Sequence, residues 1–334
     1  MKINKWSIGY ALALTGLTTY LLLDAFVIPN VYQKNVSLTE SSQIQSMSER
    51  ENITDSEPAA EATIADSEST TDNQPAASQT AQGETENAPA ESKQTQADSE
   101  TIPAEPQIEI STCRVNDTNV YVADILLPSV ESLKSAFAQD TYGRKITATT
   151  SDTATENDAI LAINGDFYGA RERGYVIRNG ILYRDTPSNA DVLCIYTDGR
   201  MEIVDPQEKS AQELLDNGAW QVFSFGPGLL EDGEILVDTN DEVGMAMASN
   251  PRTAIGMIEP NHYIFVVSDG RTSDNEGLSL YELADFMKNL GVATAYNLDG
   301  GGSSTMVYQG EIINTPSSGR HSRERSVSDI VYIR

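Results

Sequence analysis

Tyr263-Ile-Phe-Val-Val-Ser-Asp269, Ser279-Leu-Tyr-Glu-Leu-Ala-Asp-Phe-Met-Lys-Asn-Leu-Gly291 and Ala295-Tyr-Asn-Leu-Asp-Gly-Gly-Gly-Ser-Ser-Thr-Met-Val-Tyr308 lie close together along this chain. The first and third read as apolar strands. In the second, Leu280, Leu283, Met287 and Leu290 recur at helical spacing. Ser279 and Glu282 have the spacing of a capping box, and Gly291 ends the run. Strand, helix and strand in this order predict a parallel crossover. Such a crossover brings Asp269 and Asp299, each at the end of its strand, to one sheet edge.

The three glycines after Asp299 set this turn apart. Glycine costs backbone entropy and contributes no side-chain packing. Plain hairpins elsewhere, such as Ile177-Arg-Asn-Gly-Ile-Leu-Tyr183 and Val307-Tyr-Gln-Gly-Glu-Ile-Ile313, manage with one glycine each. Three in a row beside an acid, an amide and two hydroxyls imply close approach by an oxygen-rich ligand.

Working outward, the N-terminus carries Lys2 and Lys5 before a mostly apolar run from Ile8 to Val27. About 20 residues suffice to cross a ~30 Å hydrocarbon core. Positive charge before the run places the C-terminal remainder of the chain outside the cell. Residues 1–35 are therefore read as a cytoplasmic stub and signal anchor, with a cleaved signal peptide as the alternative. Residues 36–107 are rich in Ser, Thr, Glu, Gln, Ala, Asp and Pro, and read as a disordered acidic spacer. Residues 108–334 have the size of one globular domain.

The chain bears a formal charge of −28, of which −17 belongs to residues 108–334. That balance argues against a nucleic-acid partner. An anionic ligand needs arginines gathered locally. The two cysteines, Cys113 and Cys194, suit either one disulfide or two free thiols. With two histidines and no metal-ligand spacing, neither a zinc site nor a Ser-His-Asp triad is supported.

Strands dominate the domain, with short helices expected at Val130–Ala138 and Ser210–Asp216 beside Leu280–Leu290. The fold class is α+β, with a strand-rich mixed sheet and few helices.

Asp166, Asp269 and Asp299 each end an apolar strand next to glycine. Strand ends at one sheet edge are common ligand sites. Around them lie Asn164, Asn297, Arg252, Arg271, Asn314, Glu324 and Arg325. Each has an ordinary structural reading: Asp-Gly as a turn, Asn as a strand-end cap, Arg as an ion-pair partner. Asp299 stands apart because Gly300, Gly301, Gly302, Ser303 and Ser304 come directly after it. No phosphate-binding G-x-x-x-x-G-K-[ST] loop or dinucleotide fingerprint is present.

Ala162-Ile-Asn-Gly-Asp-Phe-Tyr168, Asn250-Pro-Arg-Thr-Ala-Ile-Gly256, Asp269-Gly-Arg271, Leu290-Gly291, Asn297-Leu-Asp-Gly-Gly-Gly-Ser-Ser-Thr-Met306, Asn314 with Pro316-Ser317, and Glu324-Arg-Ser-Val327 occur in this order. Together they resemble the phosphodiester glycosidase family from about Ala159 onward. Tyr168 stands where that family often has Phe, and Ser326 where it often has Pro.

The resemblance implies cleavage of a sugar-1-phosphodiester at the C1–O bond, in a cell-wall or exopolysaccharide polymer. It makes Asp299 or Asp166 the nucleophile or base, with Asp269 and Glu324 supporting or donating a proton. Arg252 and Arg325 neutralise the phosphate, the glycine-loop amides form an anion nest, and Asn164, Asn297 and Ser303 bind sugar hydroxyls. Arg271, Ser304 and Asn314 complete the binding set. No cofactor is required, although calcium near the acids stays open. A non-catalytic glycan-binding module and a metal-dependent phosphodiesterase are the competing classes.

Overall fold

The computed structural model describes residues 5–26, 28–34, 103–241, 249–318 and 321–334. Most of the expected acidic spacer, up to residue 102, lies outside the described residues, as do residues 1–4, 27 and 35 of the expected anchor. The first helix is Lys5–Phe26. Among the described residues, no helix is long and apolar enough to cross a membrane. The strand Asn30–Lys34 that comes next pairs antiparallel with Thr141–Arg144, and the Tyr32 and Tyr142 rings lie 5.7 Å apart.

Three larger sheets build the domain. The seven-stranded sheet has the spatial order Glu234–Ile235, Gly228–Glu231, Thr294–Asn297, Arg252–Glu259, His262–Ser268, Thr118–Leu126 and Gln107–Val115. A five-stranded sheet orders Glu311–Ile312, Met306–Tyr308, Leu161–Asn164, Asp329–Ile333 and Leu133–Phe137. The other five-stranded sheet orders Met201–Val204, Val192–Tyr196, Ala219–Phe223, Val176–Arg178 and Ile181–Arg184.

Their packing stems from the two-residue period of a strand. In Tyr263-Ile-Phe-Val-Val267, Tyr263, Phe265 and Val267 enter a central core with Leu161, Ile163, Val331, Leu193, Ile195 and Phe223 from the other two sheets. The alternate residues Ile264 and Val266 meet Leu280, Leu283, Ala284 and Met287 of the helix Leu280–Asn289 on the outer face. Both faces are buried, so the strand is apolar throughout. The outer faces of the smaller sheets are covered in the same way. Cys194 and Tyr196 pack beneath Ala211 and Leu214, while Ala162 and Ile330 pack beneath Ala154.

The helix Leu280–Asn289 has the expected capping box, and Gly291 takes φ +84. The strands on either side of it, His262–Ser268 and Thr294–Asn297, run in the same direction. They are not neighbours, because Arg252–Glu259 lies between them and pairs antiparallel with each. Every strand pairing among the described residues is antiparallel, so the sheets are not mixed. The crossover still delivers Asp269 and Asp299 to one edge, and Arg252 enters the sheet there between them.

Two local expectations change. Val130–Ala138 is not a helix: a 3-10 turn at Val130–Ser132 leads into the strand Leu133–Phe137. Leu133 and Phe137 mimic helical spacing, but pairing with Asp329–Ile333 imposes the extended form. A helix at Thr150–Glu156 stands where the sequence reading gave none; Thr149 caps it by accepting from the Asp152 amide. Both cysteines are free. Cys194 faces the covering helix, whereas Cys113 is exposed on the edge strand Gln107–Val115.

Candidate active site

At the shared edge lies a cavity of about 190 Å³, lined by Phe225, Asn250, Arg252, Arg271, Asn297, Leu298, Asp299, Gly300, Gly301 and Arg325. Three guanidinium groups and one carboxylate thus meet in a chain of net charge −28.

Asp299 is buried and held from several sides. Its amide donates to the Gly165 carbonyl at 3.2 Å, and its own carbonyl accepts from Asn164 Nδ2 at 2.6 Å. Its Oδ2 accepts from Ser303 Oγ at 2.6 Å and from Arg325 Nη2 at 3.4 Å. Burial raises the carboxyl above its ordinary pKa, and the Ser303 hydrogen bond and the Arg325 charge oppose that rise. Arg325, about half exposed at 45 %, also donates to Ser303 Oγ from Nε at 3.0 Å and from Nη2 at 2.6 Å.

The other guanidiniums are anchored at the cavity wall. Arg252 is 3 % exposed and donates through Nε to the Leu278 carbonyl at 2.7 Å. Arg271 donates to Asn250 Oδ1 from Nε at 3.1 Å and from Nη2 at 2.8 Å. Asn297 donates through Nδ2 to the Gly226 carbonyl at 2.8 Å, while its buried Oδ1 has no hydrogen-bond partner. An unpaired buried acceptor in a cavity wall is costly unless a ligand donor meets it.

The glycines explain how the walls come so close. A Cβ on Gly300 would stand 2.8 Å from the Pro251 carbonyl oxygen, and one on Gly301, at φ +63, would stand 2.9 Å from Arg271 Nη2. Part of the expected amide nest is spent on the fold. The Gly301 amide donates to Pro251, that of Ser303 to Gly300, and that of Ser304 to Gly301.

Several expected site residues serve the scaffold instead. Asp166 is fully buried, with Oδ1 accepting from the Tyr168 amide and paired with Arg178 at 2.9 Å, and Oδ2 accepting from the Ser224 amide at 2.7 Å. Both oxygens face inward, where Asp329 shares Arg178 at 2.8 Å. Asp166 therefore does not line the cavity around Asp299. Asp269 accepts from the Thr315 amide at 2.7 Å and from Tyr121 at 3.2 Å, tying down the loop after Glu311–Ile312. Glu324 accepts from the Ser151 amide and hydroxyl at the start of the helix Thr150–Glu156.

Asn164 accepts from Thr253 Oγ1 at 2.9 Å and grips the Asp299 carbonyl. Ser304 accepts from Thr253 at 3.2 Å, and Asn314 joins the Met306 amide to the Ser304 carbonyl. None of these residues, nor Gly302, lines the cavity. Ser303 reaches it only through Asp299 and Arg325.

Phe225 and Asn250 do line it, and the sequence does not single them out. Asn250 opens the Asn-Pro-Arg stretch, in which the arginine carries the visible signal. Phe225 follows the strand Ala219–Phe223 and precedes Gly226-Pro227, a signal no stronger than that of any other turn. Among the described residues, no group of three acidic, histidine or cysteine side chains is arranged to hold a metal ion.

A family model described as phosphodiester glycosidase matches residues 157–334, more than half the chain and all of the elements around Asp299. The chain belongs to the phosphodiester glycosidase family. Similar proteins include the SPbeta prophage-derived uncharacterized protein YomE of Bacillus subtilis, 29% identical over 236 residues, covering 64% of this chain and 36% of that protein. The N-acetylglucosamine-1-phosphodiester alpha-N-acetylglucosaminidase of Mus musculus is 31% identical over 191 residues, covering 52% of this chain and 36% of that enzyme. The chain thus spans about a third of the length of these relatives.

Among solved structures, the zebrafish N-acetylglucosamine-1-phosphodiester alpha-N-acetylglucosaminidase catalytic domain, auto-inhibited by its pro-peptide, superposes with a TM-score of 0.56 at 24% identity, covering 69% of this chain and 82% of that one. A hypothetical protein from Synechocystis gives 0.53 at 15% identity, covering 69% and 62% respectively. These two share the fold of this phosphodiester glycosidase family member.

Proposed function

We propose that the domain hydrolyses sugar-1-phosphodiesters at the glycosidic C1–O bond. The observation that carries this reading is the convergence of Arg252, Arg271 and Arg325 on a single carboxylate, Asp299, in one cavity. The guanidiniums neutralise the phosphodiester and the phosphomonoester that departs from it. Such a leaving group is already stable as an anion, so strong proton donation is unnecessary. Glycosidases usually employ two carboxylates. Among the described residues, this cavity presents one, which the nature of the leaving group accommodates.

Asp299, ionised, faces the charge that develops at C1 and acts as nucleophile or base. Water supplies the hydroxyl that C1 gains, its remaining proton passes to the departing phosphate or to solvent, and the C1–O electron pair leaves with the phosphomonoester. Asn297 Oδ1 accepts from a sugar hydroxyl or amide. No cofactor is part of this proposal.

We further place the domain outside the cell, acting on a cell-wall or exopolysaccharide polymer and held by a single N-terminal anchor. The support for that placement is the charged-then-apolar sequence of residues 2–27, whose side chains lie in part outside the described residues.

The test is product identity, with the methyl diester of N-acetylglucosamine-1-phosphate as probe and Asp299→Asn as control. Free sugar and methyl phosphate, formed equally with and without a chelator, support the reading. Sugar phosphate and methanol would instead show cleavage of the O–P bond and overturn it.

A further inference from the structure

The strand Asn30–Lys34 is seated on Thr141–Arg144 chiefly through its backbone. Val31 and Tyr32 are 57 % and 58 % exposed, so their side chains gain little burial. The register, with Asn30 opposite Arg144, Val31 opposite Gly143 and Lys34 opposite Thr141, carries the contact. Gly143 suits this pairing, because a Cβ there would collide with the Asn30 carbonyl oxygen and stand 3.0 Å from Val31 Cα. Lys145 adds a second hold. Its Nζ donates to the Asp24 carbonyl, in the last turn of the helix Lys5–Phe26, and to the Ile28 carbonyl at 3.4 Å. Among the described residues, Thr141–Arg144 has no other strand partner. Without this one, a row of backbone donors and acceptors would stand open.

The chain beyond Thr141–Arg144 leads to the cavity. The Ala148 amide donates to the Val327 carbonyl at 3.1 Å, and the Val327 amide returns the bond at 2.8 Å. Ser151 donates to Glu324 from its amide at 3.1 Å and from its hydroxyl. Arg325, whose guanidinium lines the cavity, lies between these two anchors in sequence. Residues 323–326 belong to no strand or helix, so the anchors at Glu324 and Val327 do for Arg325 what a strand does for Arg252.

We propose that docking of Asn30–Lys34 positions Arg325. The docked strand fixes Thr141–Arg144, and residues 145–151 carry that placement to Glu324 and Val327. The occupant of this edge is the chain's own strand. The role rests on Arg325 serving an anion in the cavity, as in the proposed reaction, and not on which bond of the substrate breaks.

The test undocks the strand within the full chain. Proline lacks the backbone donor and is poorly tolerated inside a strand, so Val31→Pro/Tyr32→Pro breaks the pairing. Both side chains are exposed, and the core is left alone. Gly143→Ala obstructs the same pairing from the other strand. Hydrogen exchange reads the placement, and calorimetric titration with inorganic phosphate reads the site. Both variants should speed exchange at residues 141–144 and at the amides of Ala148 and Val327. Phosphate should bind about fivefold more weakly or worse. In an Arg325→Ala background, the double proline should change phosphate affinity by less than about twofold, because the group it positions is gone. On the methyl diester, the acid limb of kcat/KM should shift to higher pH, since Arg325 favours the ionised form of Asp299.

Unchanged exchange at residues 141–144 in both variants overturns the proposal, because the strand is then not seated there in solution. Faster exchange with wild-type phosphate affinity removes the coupling, as does an equal loss of affinity in the Arg325→Ala background. If exchange and phosphate affinity respond while the wild type cleaves no diester, the positioning role stands and the proposed reaction falls. A wild-type chain that binds no phosphate sinks both.

Discussion

Ser303 donates its hydroxyl hydrogen to Asp299 across 2.6 Å while accepting from both Nε and Nη2 of Arg325. The Arg325 guanidinium itself stands 3.4 Å from the carboxylate. The hydroxyl therefore couples the arginine to the acid. Asp299→Asn should lower kcat/KM by about a thousandfold or more, as loss of a reacting group does. Ser303→Ala should cost about ten- to a hundredfold, the size expected for one hydrogen bond to a charged group. Steady-state kinetics on the methyl diester checks both. A Ser303→Ala enzyme of wild-type activity would remove the coupling role.

The same geometry fixes the pH dependence. Burial raises the Asp299 carboxyl, and the proposed reaction uses its ionised form. kcat/KM should therefore rise with pH through an acid limb lying above the ordinary carboxylate value of about 3.9. Arg325 stabilises the ionised form, so Arg325→Ala should move this limb to still higher pH. A limb that stays in place in the variant would mean that another group titrates there.

Gly301 takes φ +63, and a Cβ there would press on Arg271 Nη2. Gly301→Ala should cost about 1–2 kcal/mol of stability through its left-handed backbone. It should cost activity far more, because it displaces a guanidinium from the cavity wall. Gly300→Ala meets the Pro251 carbonyl, a backbone atom that gives way less easily than a side chain. Thermal melting measured beside kinetics separates the two effects; parallel losses in both would make the loop merely structural.

Arg178 is buried between Asp166 and Asp329. Removing one member of a buried ion cluster leaves charge uncompensated. Arg178→Met should therefore destabilise the domain by about 3–5 kcal/mol. Burial is the largest influence on Asp329 and pushes its carboxyl up to about 7. Between the ordinary carboxylate range and that value, the folded state holds a proton that the unfolded chain has lost. Stability should decline as pH rises across this window, with Asp329→Asn flattening the decline. Urea midpoints measured across the window check both statements.

Much of the fold could be read from the chain because both faces of its strands are buried. Continuous apolar runs such as Tyr263–Val267 and the capped helix after Asp269 left few alternatives. The helix Thr150–Glu156 was illegible because its buried face is threonine and alanine. Within the site, the triple glycine drew attention to Asp299, which lines the cavity, since backbone crowding leaves a mark in composition. Asp166 and Asp269 carry the same Asp-Gly or Gly-Asp signature, yet turn their carboxyls to Arg178 and to Thr315. Which way a strand-end acid points depends on partners distant in sequence, and no local pattern records them.

The hydrogen bond from Asn164 Nδ2 to the Asp299 carbonyl joins residues 135 positions apart, across two sheets. Neither sheet alone can hold the carboxylate in place. Contacts between distant residues form late, after the entropy of closing long loops has been met. Recovery of catalysis during refolding should thus lag behind the return of secondary structure and coincide with closure of the central core. Turnover would then serve as a clock for the last step of folding.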